Sequence, residues 1–173
     1  MPPRPRTVHL AGCQARSAIR THEKVTWMST TADTVSDYPR IQMLIAEYSW
    51  ALDTADVAAL GALFLDDAVF EDTAGNVYSG RAAFEGYFRK LVDMPTFRGR
   101  QHHIDNLILT PTGDGYDSRS YWTVTKWHSE AGHKIFEVIG HSTDRFVRTG
   151  DGFRFAERRV HYWRDVDCPW SPA

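Results

Sequence analysis

MPTFRGRQHHIDNLILT, residues 94–110, is where the hydrophobic period of this chain changes, and its reading decides the fold. Before Met94-Pro95 the apolar residues recur at helical spacing; beyond them the chain reads as extended. Ile41, Leu44, Ile45, Tyr48 and Leu52 form one helical stripe. Ser36 or Asp37, followed by Pro39, predicts its start, because a capping side chain accepts an orphan amide hydrogen and proline is tolerated in a first turn. A second, short helix turns Val57, Leu60, Leu63 and Phe64 inward, with Asp56 as its cap. AVFED (68–72) predicts a short strand, Gly75-Asn76 a turn, and 81–92 a third helix with Ala83, Phe84, Tyr87, Phe88 and Leu91 on its apolar side.

Downstream, strands are predicted at 101–110, 116–128, 133–148 and 152–163. The connections PTGDG (111–115), EAG (130–132) and TGDG (149–152) are rich in residues that tolerate positive φ, so they read as hairpins. The fold class is α+β, with N-terminal helices packed against a mainly antiparallel sheet. Strands this long do not stay flat and unprotected, so the sheet is expected to curve strongly around the helices and leave a conical cavity. Trp122, Phe136, Phe146, Phe153, Phe155 and Trp163 supply bulk for the core.

Hydrophobic residues make up 42% of the 173, enough for one domain without metal or disulfide staples. The formal charge of −2 offers no global attraction to nucleic acid or anionic membrane. No run of about 18 apolar residues predicts a membrane span. Cys13 and Cys168 lie near opposite ends, and a reduced, cytoplasmic state is the simpler expectation. Residues 1–35 are arginine-rich and aperiodic. They read as a disordered leader or upstream extension, with a transit peptide as the alternative and Met28 resembling an ordinary start. The domain is placed at 36–165 and a tail at 166–173.

IQMLIAEYSWALDTADVAALGALFLDDAVFED (41–72), GRAAF (80–84), HHIDNLIL (102–109) and IGHSTDRFVRTGDGFRFAERRV (139–160) occur in that order and spacing. Together, over about 38–163, they resemble the SnoaL-like branch of the NTF2-like superfamily. The resemblance implies a cone-shaped α+β fold. It does not imply one activity, since relatives include scytalone dehydratase, bile-acid 7α-dehydratase, polyketide cyclases, ketosteroid isomerase and noncatalytic dioxygenase β subunits.

Alternation along an extended strand puts His102, Ile104, Asn106 and Ile108 on one face and His103, Asp105, Leu107 and Leu109 on the other. Both faces contain apolar residues, so periodicity leaves the choice open. The resemblance points to His102 as the catalytic histidine, with Asn106 four residues on. It also implies Asp53, at the end of the first helix, as its partner, and Tyr48 as a hydroxyl donor. An aspartate beside a histidine sets its tautomer and stabilises its charged form, as proton abstraction next to a carbonyl or leaving group requires. Asp53 as a plain helix cap and Tyr48 as a core residue are the structural alternatives. His103 is expected to face outward. His141 is a candidate second donor, although Ser142 stands where the family commonly has tyrosine. Arg158 is a candidate for binding a carboxylate or oxyanion, or for an ion pair with Asp144 or a helix acid.

His102, His103 and Asp105 look metal-like in a motif scan, but adjacent strand residues point apart and no HExxH or cysteine cluster accompanies them. No metal, nucleotide or other cofactor is expected. The expected function is a cofactor-independent, dehydratase-like lyase or isomerase acting on a hydrophobic oxygenated small molecule. The alternatives are a noncatalytic small-molecule-binding or assembly subunit and a polyketide cyclase-like enzyme. A homodimer or homotrimer is expected, without nucleic-acid or membrane partners.

Overall fold

A computed structural model describes residues 31–128 and 132–163. Three helices, α1 (Thr31–Asp53), α2 (Val57–Ala62) and α3 (Arg81–Asp93), accompany six strands. The strands are β1 (Phe64–Glu71), β2 (Val77–Ser79), β3 (Arg100–Pro111), β4 (Gly115–His128), β5 (His133–Thr149) and β6 (Gly152–Tyr162). Residues 1–30 of the leader, the C-terminal tail and both cysteines lie outside the described residues, while residues 31–35, assigned to the leader by sequence, belong to α1.

α1 starts well ahead of Ser36. Asp37 is not its cap: it is 2% exposed, accepts from Tyr116 Oη at 2.9 Å and pairs with Arg148. Pro39 therefore sits inside the helix. It removes the amide that would bond to the carbonyl of Val35, an exposed residue, so water can take that carbonyl over. Asp56 does cap α2, accepting from Ala59 N at 2.9 Å.

The four long strands fall within two residues of their predicted places and the sheet is mainly antiparallel as expected, but it is not the strongly curved cone. It is one open sheet in the order β2-β1-β6-β5-β4-β3, with β2 and β3 as edges. β1 runs parallel to β6, which makes it mixed. The reason is topological. β3 to β6 are linked by consecutive hairpins, whereas β1 reaches β6 only after the chain has crossed through α3, and no pairing joins the two edges. The α+β arrangement of helices against a sheet stands; strong curvature does not.

One apolar core lies between helices and sheet. Phe64 stacks on Phe155 at 4.8 Å, and Phe70, Phe84 and Phe88 close around them. Burying each such ring is worth about 1.5–3 kcal/mol. Phe136, expected in the core, is 78% exposed. It pairs with Thr125 beside a bulge, toward the far end of the β4–β5 hairpin.

Candidate active site

α1 ends at Asp53, against the edge strand β3. The Asp53 carboxylate grips His102 at two points: Oδ2 accepts from the backbone N–H at 2.9 Å, and Oδ1 lies 2.5 Å from Nδ1. An edge strand has amides that no neighbouring strand uses, and here one of them anchors the site. Because an ionised carboxylate only accepts, Nδ1 carries the proton in the neutral ring. Nε2 then keeps its lone pair. Asp53 thus joins helix end to strand edge and selects the tautomer, while Asp56, not Asp53, serves as the cap of α2.

Two hollows flank His102. On one side an outer cleft of about 780 Å³ is lined by Asp53 and by exposed residues such as Met43, Trp50, His103 and Asn106. On the other, an inner cavity of about 220 Å³ is lined by Tyr48, Phe88, Ile104, Trp122 and Arg158, among others. His102 borders both, and Asp53 borders only the cleft. Phe97 covers the imidazole, with ring centroids 5.9 Å apart. The inner cavity is the smaller of the two, but its walls are the buried ones, and burial is what desolvates a reacting group.

Tyr48 is 4% exposed and lies under the Arg158 guanidinium, 4.2 Å from ring centroid to Cζ. Burial pushes its phenol above the ordinary value, partly offset by Arg158. Arg158 donates from one terminal nitrogen to both oxygens of Asp144, at 2.9 and 3.0 Å. Burial raises Asp144 to about 6 despite that cation. Arg158 therefore has both roles that its sequence allowed within reach: ion pair and cavity wall. Among the described residues its buried Nε has no hydrogen-bond partner, and neither has Trp122 Nε1.

Asn106 and His141 fall elsewhere. A bulge between Asp105 and Ile108, with Asn106 at φ 54°, breaks the alternation of β3. His102 and Ile104 face inward before it, and Leu107 and Leu109 after it, so Asn106 is exposed on the cleft side. His141 lies between Tyr121 and His161 across the sheet, one position out of step with the inward residues Trp122, Gly140 and Tyr162. It accepts from Trp163 Nε1 at 2.8 Å and stacks on His161 at 4.7 Å. Burial, then His161, lowers its pKa. His103 is exposed, as expected, with Nε2 3.1 Å from Thr125 Oγ1. Trp122, Tyr87, Phe97 and Arg100 complete the cavity without having been expected there. Only the inward alternation of β4 could have marked Trp122 as more than core bulk.

Among the described residues, no group of three or more His, Cys, Asp or Glu side chains is placed to hold a metal ion. No helix among them is long and apolar enough to cross a membrane.

Residues 33–159 match the family model described as the SnoaL-like domain. No curated protein matches the chain. Among solved structures, a protein of unknown function from Mycobacterium tuberculosis is 28% identical, with a TM-score of 0.70 over 81% of this chain and 79% of that one. A Novosphingobium aromaticivorans protein provisionally assigned as a scytalone dehydratase is 21% identical, with a TM-score of 0.66 over 77% and 89%. ActVI-ORFA from Streptomyces coelicolor is 23% identical, with a TM-score of 0.65 over 72% and 96%. The last two likenesses are of fold alone.

Proposed function

The chain belongs to the SnoaL-like domain family, and on that premise we propose that it is a cofactor-independent lyase or isomerase acting on a hydrophobic oxygenated small molecule. One observation carries the reading: Asp53 occupies Nδ1 of His102 from the cleft side, and the same imidazole borders an apolar cavity on the other. A base held in one tautomer at the wall of a desolvating cavity is suited to taking a proton from carbon.

In this reading His102 Nε2 accepts a proton from the carbon next to a carbonyl, and the C–H electron pair passes into an enolate. In elimination that pair expels a β-hydroxyl, which leaves as water with the proton returned from His102. In isomerisation the proton returns to another carbon of the conjugated system. Tyr48 and Arg158 supply the polar side of the cavity, which receives the departing hydroxide in elimination. Asp53 is a positioning residue. Asn106 and His141 have no part in it, since neither lines the cavity.

The reading is tested by deuterium uptake at the α-carbon of small bicyclic ketones in D2O, followed by proton NMR. The wild type is expected to accelerate uptake, and His102→Ala to lose about 10²-fold or more of that acceleration. Asp53→Asn should fall between, with a changed pH profile. Uptake unaltered by His102→Ala would instead favour a noncatalytic binding protein.

A further inference from the structure

Trp122 was read from the sequence as core bulk, yet its surroundings are those of a ligand contact. It is 6% exposed and lines the inner cavity, and its Nε1 has no hydrogen-bond partner among the described residues. Buried indole N–H groups ordinarily find an acceptor, because desolvating a donor without replacing its water is costly. Ile104 faces Trp122 across β3–β4, Tyr162 packs at 6.3 Å and the His161 backbone oxygen lies beside Gly140, yet none of these accepts from the indole.

The ring is also held in place. Gly140 lies opposite on β5, and a Cβ there would come within 2.4 Å of Trp122 Cζ2 and 2.7 Å of Cε2, the atom bonded to Nε1. The absent side chain at Gly140 is the space the indole occupies. Donor and base are close as well. His102 pairs with Val124, and Ile104 with Trp122, so Trp122 is the diagonal inward neighbour of His102 on the next strand. Such neighbours have their side-chain origins roughly 7 Å apart, a span that one ring of a small molecule covers.

We propose that Trp122 Nε1–H is the donor for the carbonyl oxygen of the ligand, and that the ligand class is an apolar ring compound carrying a ketone or similar acceptor. The role of that oxygen rests on the proton-transfer reading above. As His102 takes the proton, the C–H pair forms the C=C bond, the carbonyl π pair moves onto oxygen, and the indole N–H stays hydrogen-bonded to the enolate oxygen that forms. The proton resides on His102 until it leaves with the hydroxyl or returns to carbon, so no co-reactant is required.

The test uses two bicyclic probes of nearly equal shape, 1-tetralone and tetralin, titrated into the full-length ¹⁵N-labelled protein. Trp122→Phe assigns the indole resonance and removes the donor while keeping an aromatic ring; the remaining indole signals report that the variant is folded. The ketone is expected to move the Trp122 indole N–H and to bind about fivefold more weakly to Trp122→Phe, the scale of one neutral hydrogen bond. Tetralin should bind both proteins alike. Equal loss for both probes, a ketone affinity unchanged in the variant, an unmoved Trp122 signal, or no binding of either probe would overturn the inference. Binding needs no proton transfer, so the two proposals fail separately. Intact deuterium uptake without a Trp122 preference sinks only this one, and a Trp122 preference without uptake sinks only the catalytic reading.

Discussion

Asp53 and Asp144 each hold a nitrogen partner at hydrogen-bond distance, and the two pairs border the same part of the molecule. Their surroundings differ. Asp53 and His102 have 18% and 16% of their side chains exposed, whereas Asp144 and Arg158 have 0% and 2%. The first pair joins a helix end to a sheet edge, where protons can exchange with water. The second joins neighbouring strands β5 and β6 inside the sheet, where its charges are enclosed by protein. The same chemical pairing thus sits at a partly open edge in one place and sealed inside the protein in the other, and burial makes the difference.

The contrast breaks most visibly under substitution. Asp144→Ala leaves the Arg158 charge buried and unpaired, so it should lower unfolding stability by about 3–5 kcal/mol in urea denaturation. Asp53→Asn keeps the volume and most of the hydrogen bonding at a partly exposed site, and about 1 kcal/mol or less is expected. Comparable losses in both variants would show that the inner pair is not the sealed one.

Acid–base behaviour sharpens the comparison at a smaller scale. Asp144 is raised from 3.8 to about 6, chiefly by burial, with Arg158 opposing. The native state therefore holds this proton more tightly than the unfolded chain does. Its contribution to stability is complete below about pH 4 and is lost as pH rises to about 6. Asp37 has the opposite sign. Its bond to Arg148, ahead of the opposing effect of burial, holds it below 3.8. Its contribution is present above that value and is lost as pH falls through its lowered pKa. Stability measured from pH 3 to 7 should accordingly decline less with rising pH, between 4 and 6, in Asp144→Asn than in the wild type. Asp37→Asn should lose less stability on acidification. Parallel profiles for all three proteins would refute both assignments.

The smallest expected effect separates the adjacent histidines. His103→Ala should change stability by no more than about 0.5 kcal/mol and leave deuterium uptake unchanged, since the residue is exposed and points away from the cavity. A loss matching that of His102→Ala would mean that the outer cleft, not the inner cavity, holds the reacting molecule.

Much of the helical and strand order was legible because apolar spacing reports locally on what is buried. The Asp56 cap, the α3 stripe and the four long strands depend on neighbours a few residues away. The sheet's mixed, open form was not legible, because the pairing of β1 with β6 joins residues about ninety positions apart. At the site, Asp53 and His102 came from a resemblance, and their contact spans 49 positions. Asn106 was misplaced because one bulge turns the following side chains to the other face, and no period-2 reading can anticipate it. Trp122 showed as an aromatic on the inward alternation of β4, but that its indole N–H meets no acceptor among the described residues depends on neighbours distant in the chain.

By itself, then, the sequence determined which segments are helices and strands, where the period changes, and which family the pattern resembles, since these follow from local spacing and chain order. Tertiary structure decided which nitrogen of His102 is engaged, which carboxylate is sealed, which way β3 turns its side chains, and that an indole donor has no acceptor among the described residues. Each of these depends on what lies within a few ångströms in space, and such neighbours come from β-strands and helices far apart along the chain.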